Sequence, residues 1–361
     1  MNAYINNYEL ECNAGDTKSL MEAIYNKQTA ISIDTSYMDI TPVGLGKMSY
    51  KSFFSVLESV VTKVLAESNL ENFHDTLLIV GSSVGGMQES EKAYFRDKNY
   101  KNINPSRHAI SVLADSLVEK FSFIDSRSIS TACTSSANAL LLAKRLIDVE
   151  AYENILVVGA DALCYTTVCG FHALSVLSSK VCQPFDKSRS GMNVAEAVAA
   201  LLVQNTKSNN SIKLLGAGAS SDAFHMTNPD PEANGAIASM KAALIDASIE
   251  EKDIDYINAH GTGTEANDRV ESLAVETLFV NTYVSSTKAI TGHTLGAAGA
   301  LEAIISCEAI KRSLIPPQTG LVEADNTKIK LPKEAIQQEI KYVLSNSFAF
   351  GGNNTSIIFG A

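Results

Sequence analysis

No segment of the chain reaches the roughly 18 uninterrupted apolar residues that a membrane-crossing helix needs. The N-terminus, Met1-Asn-Ala-Tyr-Ile-Asn-Asn-Tyr-Glu, has no basic segment followed by an apolar core. A secretory leader is therefore not expected, and the expected location is cytoplasmic. Positive charge is also in short supply: 29 lysines and arginines face 40 aspartates and glutamates, for a net charge of −11. That balance excludes the broad basic face of a nucleic-acid-binding protein, so any acidic partner has to meet a local basic patch. The densest candidates are Lys92, Arg96, Lys98, Lys101 and Arg107, and separately Lys47 and Lys51 on an amphipathic stretch.

The 6 cysteines (Cys12, Cys133, Cys164, Cys169, Cys182, Cys307) include no Cys-x-x-Cys pair. They sit mostly among apolar residues in a chain too long to need disulfide staples, so free thiols are expected. Cys164, Cys169, His172 and Cys182 are close in sequence without ligand spacing, and no metal is expected there. Gly292, Gly296 and Gly299 lack the G-x-G-x-x-G spacing, and no Gly-Lys-Ser/Thr ending follows. A nucleotide loop is excluded on that ground, and close helix packing accounts for the small residues.

What is present is the material for a large core. With 361 residues, 45% of them hydrophobic, and a mean hydropathy near zero, the chain forms one large domain or two fused ones. Apolar periodicity predicts strands over 76–81, 126–133, 154–159 and 197–204, with helices near 50–68, 109–121 and 135–149 and within 165–180. Beyond about 210 the theme repeats: strands over 212–218, 255–259, 283–287, 342–347 and 355–359, and helices over 236–247, 268–279 and 298–312. Two α/β halves, 1–208 and 209–361, follow, joined by the polar, turn-rich stretch Gln204-Asn-Thr-Lys-Ser-Asn-Asn-Ser211. Runs such as Ile155-Leu-Val-Val158 suit parallel strands buried on both faces, in a layered fold whose reactive groups gather at strand ends.

Three such ends carry chemistry. The run Ser128-Ile-Ser-Thr-Ala-Cys-Thr-Ser-Ser-Ala-Asn-Ala-Leu-Leu-Leu-Ala143 passes from a strand-like approach through small polar residues into a helix-forming stretch. It sets the Cys133 thiol at a helix start, where the dipole favours a nucleophilic thiolate. His260 follows a strand in Asn258-Ala-His260-Gly-Thr-Gly-Thr264, where glycines admit a ligand and Thr262 and Thr264 can bond it. His293 follows another in Ser285-Ser-Thr-Lys288-Ala-Ile-Thr-Gly-His293. Lys288 and Glu302 flank His293 and are tolerable inside only as partners in a polar network.

Taken in order, Thr-Ala-Cys-Thr-Ser-Ser at 131–136, Pro-Phe-Asp-Lys at 184–187, Ser-Ser-Asp-Ala-Phe-His-Met-Thr at 220–227, Asn-Ala-His-Gly-Thr-Gly-Thr at 258–264, Ser-Ser-Thr-Lys at 285–288, Thr-Gly-His at 291–293 and Asn-Ser-Phe-Ala-Phe-Gly-Gly-Asn-Asn at 346–354 make up a specific pattern. From about Lys47 to Phe359 the sequence resembles the elongating β-ketoacyl-acyl-carrier-protein synthases, the condensing branch of the thiolase-like superfamily. The resemblance implies a duplicated five-layer αβαβα fold, a homodimer or a heterodimer with a related subunit, and a Cys133–His260–His293 site oriented by Lys288 and Glu302. It implies no cofactor of the enzyme's own, since phosphopantetheine arrives on the acyl carrier protein, and neither nucleic acid nor membrane as a partner. By the same resemblance, the N–H groups of Cys133 and Phe350 form an oxyanion hole, and Phe348, Ala349 and Phe350 form a gate. Thr262 and Thr264 contact the pantetheine arm, and Lys47 and Lys51 occupy the helix that meets the carrier.

The resemblance also separates the chain from its nearest kin. Thiolases have a second cysteine where this chain has Phe348-Ala-Phe-Gly-Gly352, and initiating synthases have asparagine where it has His293. The rival reading is a non-elongating partner subunit, or chain-length factor, which shares the fold and lacks the active cysteine. Departures from the pattern are Ala349 and Asn267 in place of glycines, Val194-Ala-Glu-Ala197 in place of Gly-Glu-Gly, and an N-terminus in which the usual opening strand with Thr-Gly is not expected. These leave ordinary fatty-acid elongation and a polyketide or polyene pathway both open.

Overall fold

The computed structural model describes residues 2–37 and 42–361. Its main sheet runs in the order Tyr283–Ser285, Tyr256–Asn258, Tyr342–Phe348, Asn353–Gly360, Ile212–Ser221, Ala3–Cys12, Ala197–Gln204, Asn154–Asp161, Thr76–Gly81, Asp125–Ile129. The duplication is visible in that order. Each half places its first strand beside its last, then its fourth, second and third, with two antiparallel contacts followed by two parallel ones. The halves meet where Ala3–Ile5 pairs with Ile212–Leu214.

Three apolar clusters lie between five layers. Leu78, Val80, Leu156 and Val158 point outward from the first half onto Leu57 and Val61 of the helix Phe53–Ala66 and Leu113 and Leu117 of the helix Val112–Phe121. Ile257, Val284, Leu344 and Ile358 do the same in the second half, against Met240 of the helix Asn234–Ala247 and Val275 of the helix Glu265–Leu278. The opposite side chains of both halves, among them Leu77, Ile79, Val157, Val343 and Phe359, enclose the helices Ser135–Asp148 and Ala298–Arg312. All but Glu308, Lys311 and Arg312 of the latter helix are buried, as an element covered on every side requires. Small residues let the two central helices touch: a Cβ on Gly299 would sit 2.6 Å from the Ala137 nitrogen. This is the close packing expected of the 292–299 stretch.

The fold corrects several expectations. The opening strand is present as Ala3–Cys12, without a Thr-Gly pair, in the middle of the sheet. The helices Thr17–Tyr25 and Met87–Asp97 are additional to those that the periodicity predicts. The strand expected to run to Cys133 stops at Ile129. Lys47 and Lys51 precede the helix Phe53–Ala66 and do not lie on it. The polar connection between the halves runs from Gln204 to Ile212. Among the described residues, no helix is long and apolar enough to cross a membrane.

Candidate active site

Because the halves are duplicated, the two central helices begin at equivalent places, and Cys133 and His293 each lie between a third strand and its central helix. The chain reaches Cys133 through a tight elbow. Ala132 adopts φ +53°, unusual for a side chain with a Cβ. The neighbouring hydroxyls hold that elbow shut: Ser135 Oγ donates to Ala132 O at 2.6 Å, Thr134 Oγ1 donates to Thr131 O at 2.7 Å, and Ser83 Oγ donates to Ala132 O at 2.9 Å. Thr134, Ser135 and Ser136 are buried, so they fasten the turn and present no groups to a ligand.

His293 is held by its backbone, its N–H donating to Asn193 O at 2.7 Å and its carbonyl accepting from Ala195 N at 2.9 Å. Its Nε2 reaches 3.0 Å from Cys133 Sγ. The His260 ring stands edge-on to that of His293, with centroids 5.1 Å apart and planes at 86°. His260 lies two residues beyond the strand Tyr256–Asn258, and the Glu271 carboxylate accepts from the N–H groups of His260 and Gly261 at 2.8 and 2.7 Å. Behind both rings, the buried Lys288 ammonium donates to His260 O at 2.6 Å and pairs with the buried Glu302 carboxylate. The expected flanking network is thus in contact with His260 directly.

A cavity of about 370 Å³ opens onto these groups. Cys133, His260 and His293 line it, and so do Thr262 and Thr264, whose hydroxyls are 2.9 Å apart. Phe348 lines it from the end of the strand Tyr342–Phe348, and Ala349 and Phe350 from the turn that follows, with ring centroids 6.0 Å apart for Phe348 and His260 and 5.9 Å apart for Phe350 and Phe171. Lys47 and Lys51 do not line it. Lys47 is paired with Asp34 and stands 5.3 Å over the Tyr37 ring, while Lys51 is exposed.

The electrostatics correct one expectation. Both histidines are held well below their usual range by burial and then by the Lys288 charge, so both rings are neutral at pH 7. Burial also pushes the Cys133 thiol up to about 12, with Lys288 pulling the other way. Although one side of Cys133 opens to the cavity, its surroundings are dense enough to disfavour the anion, and a helix start alone does not leave a resident thiolate. It follows that alkylation of Cys133 by iodoacetamide accelerates steadily between pH 7 and pH 9.5. A rate that levels off below pH 8 would mean that the thiolate is already formed.

Sequence reasoning missed the supporting carboxylates. Glu271, raised to about 7 by burial, anchors the His260 turn. Asp268 accepts from Phe185 N at 2.7 Å and Gly263 N at 3.2 Å. Asp161 bonds the turn after His293. The only available signal was position: Asp268 and Glu271 lie one turn apart on the helix that follows the His-Gly-Thr-Gly-Thr segment. Among the described residues, no group of three or more His, Cys, Asp or Glu side chains could hold a metal ion.

Residues 9–209 match the family described as "Beta-ketoacyl synthase, N-terminal domain", and residues 212–322 match "Beta-ketoacyl synthase, C-terminal domain". The chain is 37% identical over 321 residues to the 3-oxoacyl-[acyl-carrier-protein] synthase 2 of Coxiella burnetii, covering 81% of this chain and 77% of that one. It is 33% identical to the enzyme of the same name from Staphylococcus aureus, covering 80% and 78%. A solved complex of the ketosynthase ApeO with its chain length factor ApeC, from Xenorhabdus doucetiae, superposes with a TM-score of 0.88 at 30% identity, over 100% of this chain and 98% of that one. A β-ketoacyl synthase from Burkholderia phymatum shares the fold at a TM-score of 0.90, with 24% identity and 99% coverage of both chains.

Proposed function

The chain belongs to the β-ketoacyl synthase family, and from that premise we propose that it is an elongating 3-oxoacyl-[acyl-carrier-protein] synthase that joins malonyl-carrier to an acyl group held on Cys133. The observation that carries this reading is the Cys133 Sγ to His293 Nε2 contact of 3.0 Å, in a cavity shared with His260. A thiol with two neutral imidazoles suits decarboxylative condensation, which needs donors to a carbonyl oxygen rather than a strong base.

In the first half-reaction Cys133 Sγ attacks the acyl thioester of one carrier. His293 Nε2–H donates to the sulfur as it becomes negative, the thiol proton leaves with the departing carrier thiol, and an acyl thioester remains on Cys133. Malonyl-carrier then enters. Its C–CO2 bond breaks, CO2 leaves, and the electron pair moves into an enolate whose oxygen accepts from the Nε2–H groups of His260 and His293. The enolate carbon attacks the Cys133 acyl carbonyl, whose oxygen is received by the N–H groups of Cys133 and Phe350. Collapse expels the Cys133 thiolate, which takes a proton from solvent, and releases a carrier-bound 3-oxoacyl chain two carbons longer. Lys288 and Glu302 hold His260 in place, and the positive charge of Lys288 helps keep both rings neutral. Thr262 and Thr264 suit contacts to the pantetheine arm, and the Phe348–Phe350 turn suits a gate.

Residues 1–208 then carry the nucleophile and residues 209–361 the two histidines, in a cytoplasmic enzyme that works as a homodimer or with a related subunit. A carrier-facing role for Lys51 fits its exposure better than one for Lys47, whose charge is met by Asp34. Cys133 weighs against the alternative of a partner subunit without synthase activity.

The test is incubation of the purified protein with acyl-carrier and malonyl-carrier, followed by intact-mass measurement of protein and products. An acyl adduct on Cys133 and a product longer by two carbons are expected. A protein that neither acylates nor elongates any carrier offered would sink the proposal.

A further inference from the structure

Asp161 closes the strand Asn154–Asp161 and is fully buried, behind the cavity wall rather than in it. Its Oδ1 accepts from Ser82 Oγ at 2.5 Å and from the backbone nitrogens of Ser83 and Val84, each at 2.9 Å. Its Oδ2 accepts from Ser83 N at 2.9 Å and from Gly296 N at 2.6 Å. Every one of these donors is neutral. A carboxylate buried without a counter-charge is costly to keep, and burial raises its pKa to about 6. An amide or a hydroxyl would be cheaper if the position were only structural.

The two oxygens serve loops from the two halves of the fold. On one side, the 82–84 loop reaches the nucleophile, because Ser83 Oγ also donates to Ala132 O, the strained residue before Cys133. On the other, Gly296 lies three residues after His293, in the turn Leu295–Ala297 that leads into the second central helix. The loops are in contact: a Cβ on Gly296 would stand 2.6 Å from Ser83 N and 2.8 Å from Asp161 Oδ2. One carboxylate thus ties the cysteine elbow to the turn behind His293.

We infer that Asp161 is a positioning residue of the condensation, fastening the Cys133 elbow and the His293 turn to each other and so setting the distance between Sγ and Nε2. The inference rests on the condensation reading for its consequence, not for its geometry. Only a carboxylate accepts on both sides. An asparagine has one acceptor oxygen, and its NH2 would face an N–H donor of whichever loop it turned toward.

The test compares the full-length protein with Asp161→Asn, Asp161→Glu and Ser83→Ala, in condensation assays with acyl-carrier and malonyl-carrier and in iodoacetamide alkylation of Cys133. Asp161→Asn is expected to lower kcat at least about tenfold, as sub-ångström misplacement of reacting groups does, with KM within about twofold because the cavity wall is untouched. Asp161→Glu, which keeps two acceptor oxygens, is expected to recover most of kcat. Ser83→Ala breaks only the link to the elbow and is expected to lower kcat about threefold at constant KM. A kcat for Asp161→Asn equal to the parent's, a joint change of kcat and KM, or a glutamate variant as slow as the asparagine one would each overturn the inference. Should Asp161→Asn fail to fold, an unchanged kcat in Ser83→Ala overturns it alone. Alkylation needs no carrier. Of the charged groups that act on the Cys133 thiol, Lys288, Glu302 and Asp161, only the last is altered, so alkylation at pH 9 is faster in Asp161→Asn than in the parent; an equal rate counts against the inference. A parent inactive toward every carrier would refute the condensation reading and leave this alkylation result to decide the role of Asp161.

Discussion

Replacing Cys133 with alanine abolishes both self-acylation and elongation, with a loss of at least about 10⁴-fold, as for removal of other catalytic nucleophiles. The reason is geometric as well as chemical. No other thiol lines the cavity: Cys182 is buried with its Sγ donating to Lys288 O at 3.1 Å, and Cys12 and Cys307 lie in the central apolar layer. The methyl group of alanine fits the space of the side chain, so the elbow and both histidines keep their places. Malonyl-carrier decarboxylation, which needs only the two imidazole donors, is therefore expected to survive in the same variant. Mass measurement of the protein after acyl-carrier treatment checks the first part, and release of CO2 from malonyl-carrier checks the second. A variant that elongates at the parental rate would remove Cys133 from the mechanism.

His293→Ala has the opposite profile. Cys133 still accepts an acyl group, more slowly, whereas loss of CO2 from malonyl-carrier falls by about 10²–10³, the usual consequence of deleting one oxyanion donor. That corresponds to roughly 3–4 kcal/mol of transition-state stabilisation. The size follows from the setting of the ring. It is buried and neutral, it contacts Cys133 directly, and His260 stands perpendicular to it at 5.1 Å and cannot take over its position. Acyl-enzyme accumulating without elongated product is the expected observation by intact mass. An unchanged rate of decarboxylation would leave His293 as a packing residue.

The two substitutions separate what the site does to sulfur from what it does to the malonyl carbonyl. That separation reflects the duplicated architecture. Cys133 belongs to the first half and His293 to the second, at equivalent positions before the two central helices, and they meet where those helices pack against each other through Gly299 and Ala137. The chemistry sits on the seam of the duplication.

Much of this was legible in the linear sequence, for identifiable reasons. Continuous apolar runs such as 154–159 and 197–204 mark strands covered on both faces, and the observed strands start at the same residues. The abrupt change from apolar to small polar residues around Cys133 marks a helix start, and the helix begins at Ser135. The opening strand is hard to read from the sequence because its alternation slips by one residue between Ile5 and Asn7: Ala3 and Ile5 are buried before the shift, Leu10 and Cys12 after it. The resemblance places Lys47 on a helix, although the periodicity starts one only near residue 50 and the helix begins at Phe53.

The sequence by itself determined the reactive groups, the layered α/β class and the repeat of the fold, because residue type and periodicity are local properties. Tertiary structure alone decided that Cys133 and His293 touch, that burial disfavours the charged forms of the thiol and both imidazoles, and that Glu271 bonds the His260 turn and Asp161 the turn after His293. Distance and desolvation depend on residues far apart in the chain. A carboxylate on a helix or at a strand end reads as solvent-facing until the fold closes over it.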